Sequence, residues 1–173
     1  TTGVDAVVDS GVDQVFVTDS SVDADTGVAL NDLELSLQDV GGTDIEFTVT
    51  DTAGAVASEL SATGDELDEA NDVNVVGGTI DVAAADAVQD ITAYDAVDSD
   101  YDIEDDASTL LSTTGVDAVV DSGVDQVFVT DSSVDADTGV ALNDLELSLQ
   151  DVGGTDIEFT VTDTAGAVAS ELS

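Results

Sequence analysis

The sequence contains a perfect internal duplication, because residues 1–61 recur without change as residues 113–173. The chain therefore divides into a repeat unit A (1–61), a repeat unit B (62–112) and a second copy of unit A (113–173). A repeat that also duplicates its surface residues presents the same face more than once. An enzyme needs one unique arrangement of residues, so the duplication favours a structural role and predicts a portion of a longer tandem array.

Charge imposes the second constraint on the fold. The chain carries 41 acidic side chains and no lysine, arginine or histidine, which gives a formal net charge of −41. No salt bridge between two side chains can form, so each carboxylate needs water, a backbone N–H, a hydroxyl, a proton or a cation. Two carboxylates about 10 Å apart in water repel by ~0.4 kcal/mol, and many such pairs oppose a compact state. We expect the fold to depend on cations.

The missing residue types exclude several functional classes. The absence of cysteine and histidine removes disulfides, thiolate metal sites and the commonest general base. Without lysine or arginine the chain has no group to grip phosphate, nucleic acid or an anionic membrane surface. Serine and threonine nucleophiles have no histidine or lysine to activate them, and no stretch is long and apolar enough to span a bilayer. We predict no enzymatic activity, no organic cofactor, no nucleic-acid partner and no membrane insertion.

Strand and helix patterns alternate along the sequence. In unit A, Ile45, Phe47 and Val49 alternate with polar residues, which is typical of a half-buried strand. Asp51 then stands where a helix N-cap belongs, and small apolar residues follow at helical spacing. Unit B repeats this order, with a strand pattern, an N-cap position and a helical pattern at Tyr101, Ile103, Asp105, Asp106, Ala107, Leu110 and Leu111.

A further strand is predicted in the leucine-rich segment of unit A. Leu33, Leu35 and Leu37 alternate with polar residues, and residues 39–44 form a plausible turn into the strand at Ile45. Four strand-plus-connection segments per 112 residues is a density typical of solenoids. The predicted fold class is mainly β with short helices, an elongated β- or α/β-solenoid of tandem repeats. A string of immunoglobulin-like β-sandwiches is the alternative.

One acidic cluster in unit A has the composition of a calcium loop. Calcium binds six to eight oxygens, and closely spaced carboxylates with hydroxyls and carbonyls can supply them. Aspartate, serine and glycine also favour turns and helix N-caps, which is the structural alternative. The candidate ligands of this cluster are Asp19, Asp23 and Asp25, with their duplicates Asp131, Asp135 and Asp137.

Unit B contains a second acidic cluster. Its candidate calcium ligands are Asp98, Asp100, Asp102 and Glu104. The opening resembles an EF-hand loop, but Ile103 and Thr109 replace the glycine and the glutamate that such a loop requires, so an EF-hand is rejected. On a strand, the last three of these carboxylates would face the same side, and we expect a bound calcium ion to offset their repulsion.

Three segments carry a resemblance to a known class of proteins: residues 47–58 (FTVTDTAGAVAS), 101–111 (YDIEDDASTLL) and 73–91 (VNVVGGTIDVAAADAVQDI). They resemble tandem repeats of giant acidic bacterial cell-surface proteins, including adhesins and the surface motility proteins of cyanobacteria, which are often associated with calcium-binding repeats. The nonapeptide of hemolysin-type calcium repeats is absent. The resemblance implies an extracellular or cell-surface location and self-association of identical repeats or chains. The expected function is a non-enzymatic structural repeat of a filament or surface protein, stabilised by divalent cations; the alternative is an adhesin module that binds glycan or a mineral surface.

Overall fold

The structure, a computed structural model, describes residues 15–38, 45–63, 67–121, 123–150 and 156–171. Helices make up 46% and strands 22% of it. The strands within these ranges are β1 (Thr48–Asp51), β2 (Asp72–Ile80), β3 (Asp100–Asp105), β4 (Val124–Val129) and β5 (Ile157–Glu158). The helices are α1 (Ala24–Gln38), α2 (Ala53–Thr63), α3 (Val82–Gln89), α4 (Ala107–Leu110), α5 (Thr113–Val119), α6 (Ala136–Gln150) and α7 (Ala165–Glu171).

The five strands form one parallel sheet in the order β1-β2-β3-β4-β5. Parallel neighbours require a crossover connection, and helices of the described chain supply it between successive strands. Two isolated bridges, from Val22 to Val49 and from Val134 to Val161, pair the segments that precede α1 and α6 with the sheet residues that follow those helices. The carboxyl ends of the strands consequently lie along one edge, where the helices begin.

The core lies on one face of the sheet. Val49, Val73, Ile103 and Val127 point into it and are fully buried, and they form one apolar cluster with helix residues such as Val88. The side chains that alternate with them on the strands are mostly polar and remain half-buried or exposed.

The predicted fold class is wrong. The structure is an α/β fold with a parallel sheet, and helix exceeds strand by about two to one. It is therefore not mainly β, and the described residues form neither of the predicted solenoids, β or α/β. The alternative of immunoglobulin-like sandwiches is also wrong, because those require antiparallel sheets and all strand pairs among the described residues are parallel.

The leucine segment explains part of this error. Leu33, Leu35 and Leu37 lie in helix α1 rather than in a strand. Leu33 and Leu37 are buried, whereas Leu35 is 45% exposed. The buried leucines therefore follow the four-residue spacing of a helix face and not the two-residue alternation of a strand. The turn predicted at residues 39–44 lies outside the described residues. The strands that end at Asp51 and Asp105, and the helices that follow them, are confirmed.

Within the parts of the chain that the structure describes, no helix combines the length and the apolar character needed to cross a membrane.

Candidate functional site: aspartates at the helix N-termini and on the sheet

Local aspartates cap several helices. The Oδ1 atom of Asp23 accepts a hydrogen bond from the N–H of Thr26 at 2.9 Å, and its duplicate Asp135 accepts one from Thr138 at 2.8 Å. Asp81 caps α3 in the same way, and Asp106 caps α4. A helix N-terminus has N–H groups without an intrahelical partner, which these carboxylates satisfy.

The caps are also electrostatically favourable for ionised carboxylates. The Thr26 side chain, and then its backbone N–H, lower the pKa of Asp23, and Thr138 lowers the pKa of Asp135 in the same order. The Ser108 side chain makes the largest contribution to the lowered pKa of Asp106, followed by the Thr109 N–H. These aspartates are therefore stabilised in the charged form without any basic residue.

A second set, the cross-strand aspartates, comprises Asp51, Asp105, Asp131 and Asp163. Each lies at or just beyond the end of its strand or bridge segment. Its side chain accepts a hydrogen bond from the N–H of the first residue of a helix that belongs to a neighbouring strand–helix segment. The Oδ2 atoms accept these bonds from the N–H groups of Ala24 at 3.0 Å, Val82 at 3.2 Å, Ala107 at 2.8 Å and Ala136 at 3.2 Å, respectively. The partners are 23 to 27 residues apart in sequence, so these bonds tie successive strand–helix segments together.

Four helix N-termini thus hold two carboxylates each. Helix α1 has Asp23 and Asp51, and α6 has their duplicates. Helices α3 and α4 have the pairs Asp81 with Asp105 and Asp106 with Asp131. The partial positive charge at a helix N-terminus favours this arrangement. Sequence reasoning missed the pairing, although the recurrence of aspartate at strand ends was a signal for it.

The first predicted calcium cluster is distributed around these N-termini. Asp23 and Asp135 are caps, Asp131 is a cross-strand aspartate, and Asp25 and Asp137 lie in the first turns of α1 and α6. Asp19 is exposed in the bend before α1. Within the described ranges, no three acidic side chains come close enough together to hold one metal ion. Calcium at these residues remains a prediction.

The second predicted cluster forms a row on β3. Asp100, Asp102 and Glu104 alternate with the buried Tyr101 and Ile103, so they face the same side of the sheet as predicted. Asp98 lies in the preceding turn, where its N–H donates to Asp95 Oδ1. The row therefore brings three carboxylates to one sheet face.

Asp102, the middle carboxyl of this row, has a pKa above its ordinary value. Burial raises the pKa of Asp102, and the nearby charges of Asp125 and then Asp100 raise it further. A carboxyl with a raised pKa in the folded state is less stable when ionised than in the unfolded chain. At neutral pH a cation beside this row would remove that cost.

A tyrosine network joins unit B to the second copy of unit A. Tyr94 donates from its hydroxyl to Asp121 Oδ1 at 2.8 Å, while Gln89 Nε2 donates to the hydroxyl oxygen of Tyr101 at 2.7 Å and to the carbonyl of Ala118 at 2.9 Å. Burial raises the pKa of both tyrosines, so both remain protonated. The network holds α5 against unit B, and it contains no activated nucleophile.

No family model, no characterised protein sequence and no solved structure matches this chain.

Proposed function

We propose that the chain is a non-enzymatic structural repeat of an extracellular filament or giant cell-surface protein, in which identical units associate. The observation that carries the proposal is the two-sided packing of unit B. Its strand β2 pairs with β1 of the first copy of unit A, and its strand β3 pairs with β4 of the second copy. Unit B thus packs between a late segment of one copy of unit A and an early segment of the next, which is suited to head-to-tail repetition. The duplicated helices α1 and α6 use the same caps.

Divalent cations, calcium among them, stabilise and cross-link these units in the proposed role. Eight aspartates are hydrogen-bonded at helix N-termini, which leaves most of the 41 acidic groups to be neutralised by other means. On the β3 row, the charges of Asp125 and Asp100 add to the effect of burial in raising the pKa of Asp102. Calcium accepts carboxylate ligands in flexible geometry. Because no three acidic side chains of the described residues lie close enough to hold one ion, an ion at this row would take further ligands from water or from another unit.

Binding of a mineral surface, the adhesin-type alternative, has one observation in its favour. A mineral binder presents its acids in a flat row, and Asp100, Asp102 and Glu104 lie in such a row on one strand. The same carboxylates could then bind calcium ions fixed in a crystal face.

Calcium should raise the thermal stability more than sodium does at equal ionic strength. In dilute neutral buffer with chelator removed, a site filled at about 100 times its Kd contributes about 2.7 kcal/mol, which is about 5–10 °C for a chain of this size. Circular dichroism melting curves measure the difference. The variant Asp100→Asn, Asp102→Asn, Glu104→Gln should lose the additional increase in melting temperature that calcium gives over sodium. Equal melting temperatures in calcium and sodium would remove the divalent cation from the proposal.

The location can be tested on cells. An antibody raised against the chain should label intact, non-permeabilised cells of the organism that encodes it, because the proposed role places the repeat outside the membrane. Immunofluorescence with and without permeabilisation makes the comparison, with an antibody to an internal protein as the control. Labelling that requires permeabilisation would refute the extracellular role.

A further inference from the structure

We infer that the second copy of unit A carries a docking groove for another unit B, and that the occupant is the segment equivalent to residues 67–80. The groove lies between α6, the β5 segment and α7, and has a volume of about 440 Å³. Its floor and walls include Gly139, Asn143, Phe159, Val161 and Val168. The inference rests on the proposed function in one respect, since it names the surface through which units associate.

The same surface is covered in the first copy of unit A. Val49 is fully buried there, whereas its duplicate Val161 is 42% exposed. Val56 is likewise fully buried, while its duplicate Val168 is only half-buried. Because the two copies have the same sequence, the difference in exposure comes from what packs against them.

Leu67 of unit B fills the groove of the first copy. It is fully buried, and its Cδ2 atom lies 3.1 Å from the position that a Cβ on Gly27 would occupy. At the duplicate Gly139, the three atoms nearest the corresponding position all belong to Val161 and Phe159, with no leucine among them. The glycine thus leaves space for a leucine in both copies, and in the second copy that space belongs to the groove.

Backbone and side-chain hydrogen bonds fix the orientation of the occupant in the first copy. Phe47 donates its N–H to Asn71 Oδ1 and accepts from the Asn71 N–H, both at 2.9 Å. Asn31, which is buried, accepts from the N–H of Glu69 at 3.2 Å. Its duplicate Asn143 is exposed on the groove wall. The second copy therefore offers an incoming segment the same acceptor, at Asn143, and the same backbone sequence, at residues 159–163.

Strand addition completes the docking mode. β2 pairs with β1 in parallel from Thr48 to Asp51, and the equivalent residues 160–163 follow β5, which is the last strand in the sheet order. An open strand edge gives affinity through main-chain hydrogen bonds, and pockets beside it give specificity. In the second copy, the space beside Gly139 would accept the leucine of a further unit B and so favour that sequence.

A second folded copy of this chain fits the groove less well. Its own unit B is already packed between two copies of unit A. Its Phe16 is 75% exposed, but the duplicates of residues 15–17, which are residues 127–129, pair with β3 of unit B rather than with another unit A. The occupant is therefore a further unit B.

The natural absence of cysteine makes the groove directly testable. Val161→Cys is prepared in the 173-residue chain and in the same chain lengthened after residue 173 by another copy of residues 62–112. The rate of thiol labelling in 0.5 M NaCl should fall by about tenfold or more in the longer chain, because labelling then requires local opening. Leu147→Cys, on the exposed side of α6, should label at the same rate in both chains.

Further arms identify the occupant. A leucine-to-aspartate change at the added counterpart of Leu67 should restore fast labelling of the Val161→Cys thiol. Amide hydrogen exchange at Val161 and Val168 in the cysteine-free chains gives a second readout if the cysteine variant folds poorly. Equal rates of thiol labelling, or equal rates of amide exchange, in both chains would overturn the inference. Protection of the 173-residue chain that increases with protein concentration would also overturn it, since a second copy of the chain would then occupy the groove. Neither result changes the calcium and antibody outcomes that test the proposed function.

Discussion

Replacing Phe47 with alanine should lower the free energy of unfolding by about 3–5 kcal/mol, whereas the same change at its duplicate Phe159 should cost about 1 kcal/mol. The Phe47 side chain is buried in the main core close to Gly27, so its removal leaves a cavity. Phe159 lies at the open groove and is only half-buried. Its surroundings can open locally without unfolding the rest of the chain. Urea unfolding in 0.5 M NaCl, with urea chosen because it is uncharged, measures both losses.

The duplication supplies the control for this experiment. Both phenylalanines have the same neighbours in sequence, so differences in strand propensity and in local unfolded-state structure largely cancel. What remains is the effect of coverage by unit B. If the two variants lost the same free energy, the end of the second copy would be as tightly packed as the first, contrary to the exposure of Val161.

The alternation of strands and helices could be predicted where apolar spacing and a capping residue agreed. Ile103 on β3 and the helix after Asp106 are examples. Helix α1 could not be assigned in this way, because its leucines satisfy both a two-residue and a four-residue spacing. Burial of Leu37 and exposure of Leu35 resolve the ambiguity, and they depend on the packing of the whole sheet rather than on the segment itself.

The site was predictable only in part. The sequence indicates that Asp23 is suited to an N-cap or to metal ligation and that Asp106 stands at an N-cap position, and the structure shows both as caps. The role of Asp51 toward Ala24 depends on which helix begins beside the end of β1, and that is set by the order of the strands. Local patterns contain no information about strand order. The grouping of Asp100, Asp102 and Glu104 could be predicted because it needs only a two-residue period within one strand.

Removing a negative charge should change the free energy of unfolding in opposite directions at different positions. In a chain with a net charge of −41, losing an exposed carboxylate should usually be stabilising. Asp32→Ala, in the exposed middle of α1, should raise the free energy of unfolding by about 0.5 kcal/mol, since alanine is also the better helix former. Asp51→Ala should instead lower it by about 1–3 kcal/mol, because the N–H groups of the buried Ala24 and of Thr52 lose their acceptor.

Two comparisons separate the hydrogen bonds of Asp51 from its charge. Asp51→Asn keeps one carbonyl acceptor and should lose less stability than Asp51→Ala. Asp163→Ala, the duplicate change at the exposed edge, should also lose less, because water can replace the carboxylate there. Urea unfolding at 20 mM and at 1 M NaCl separates the effect of charge repulsion from the effect of the lost hydrogen bonds. Salt screens the repulsion between carboxylates, but it does not replace a missing hydrogen-bond acceptor. If Asp51→Ala were stabilising at both salt concentrations, charge repulsion would outweigh the cross-strand hydrogen bonds. The hydrogen bonds at the helix N-termini would then not be what stabilises a sheet with so many carboxylates.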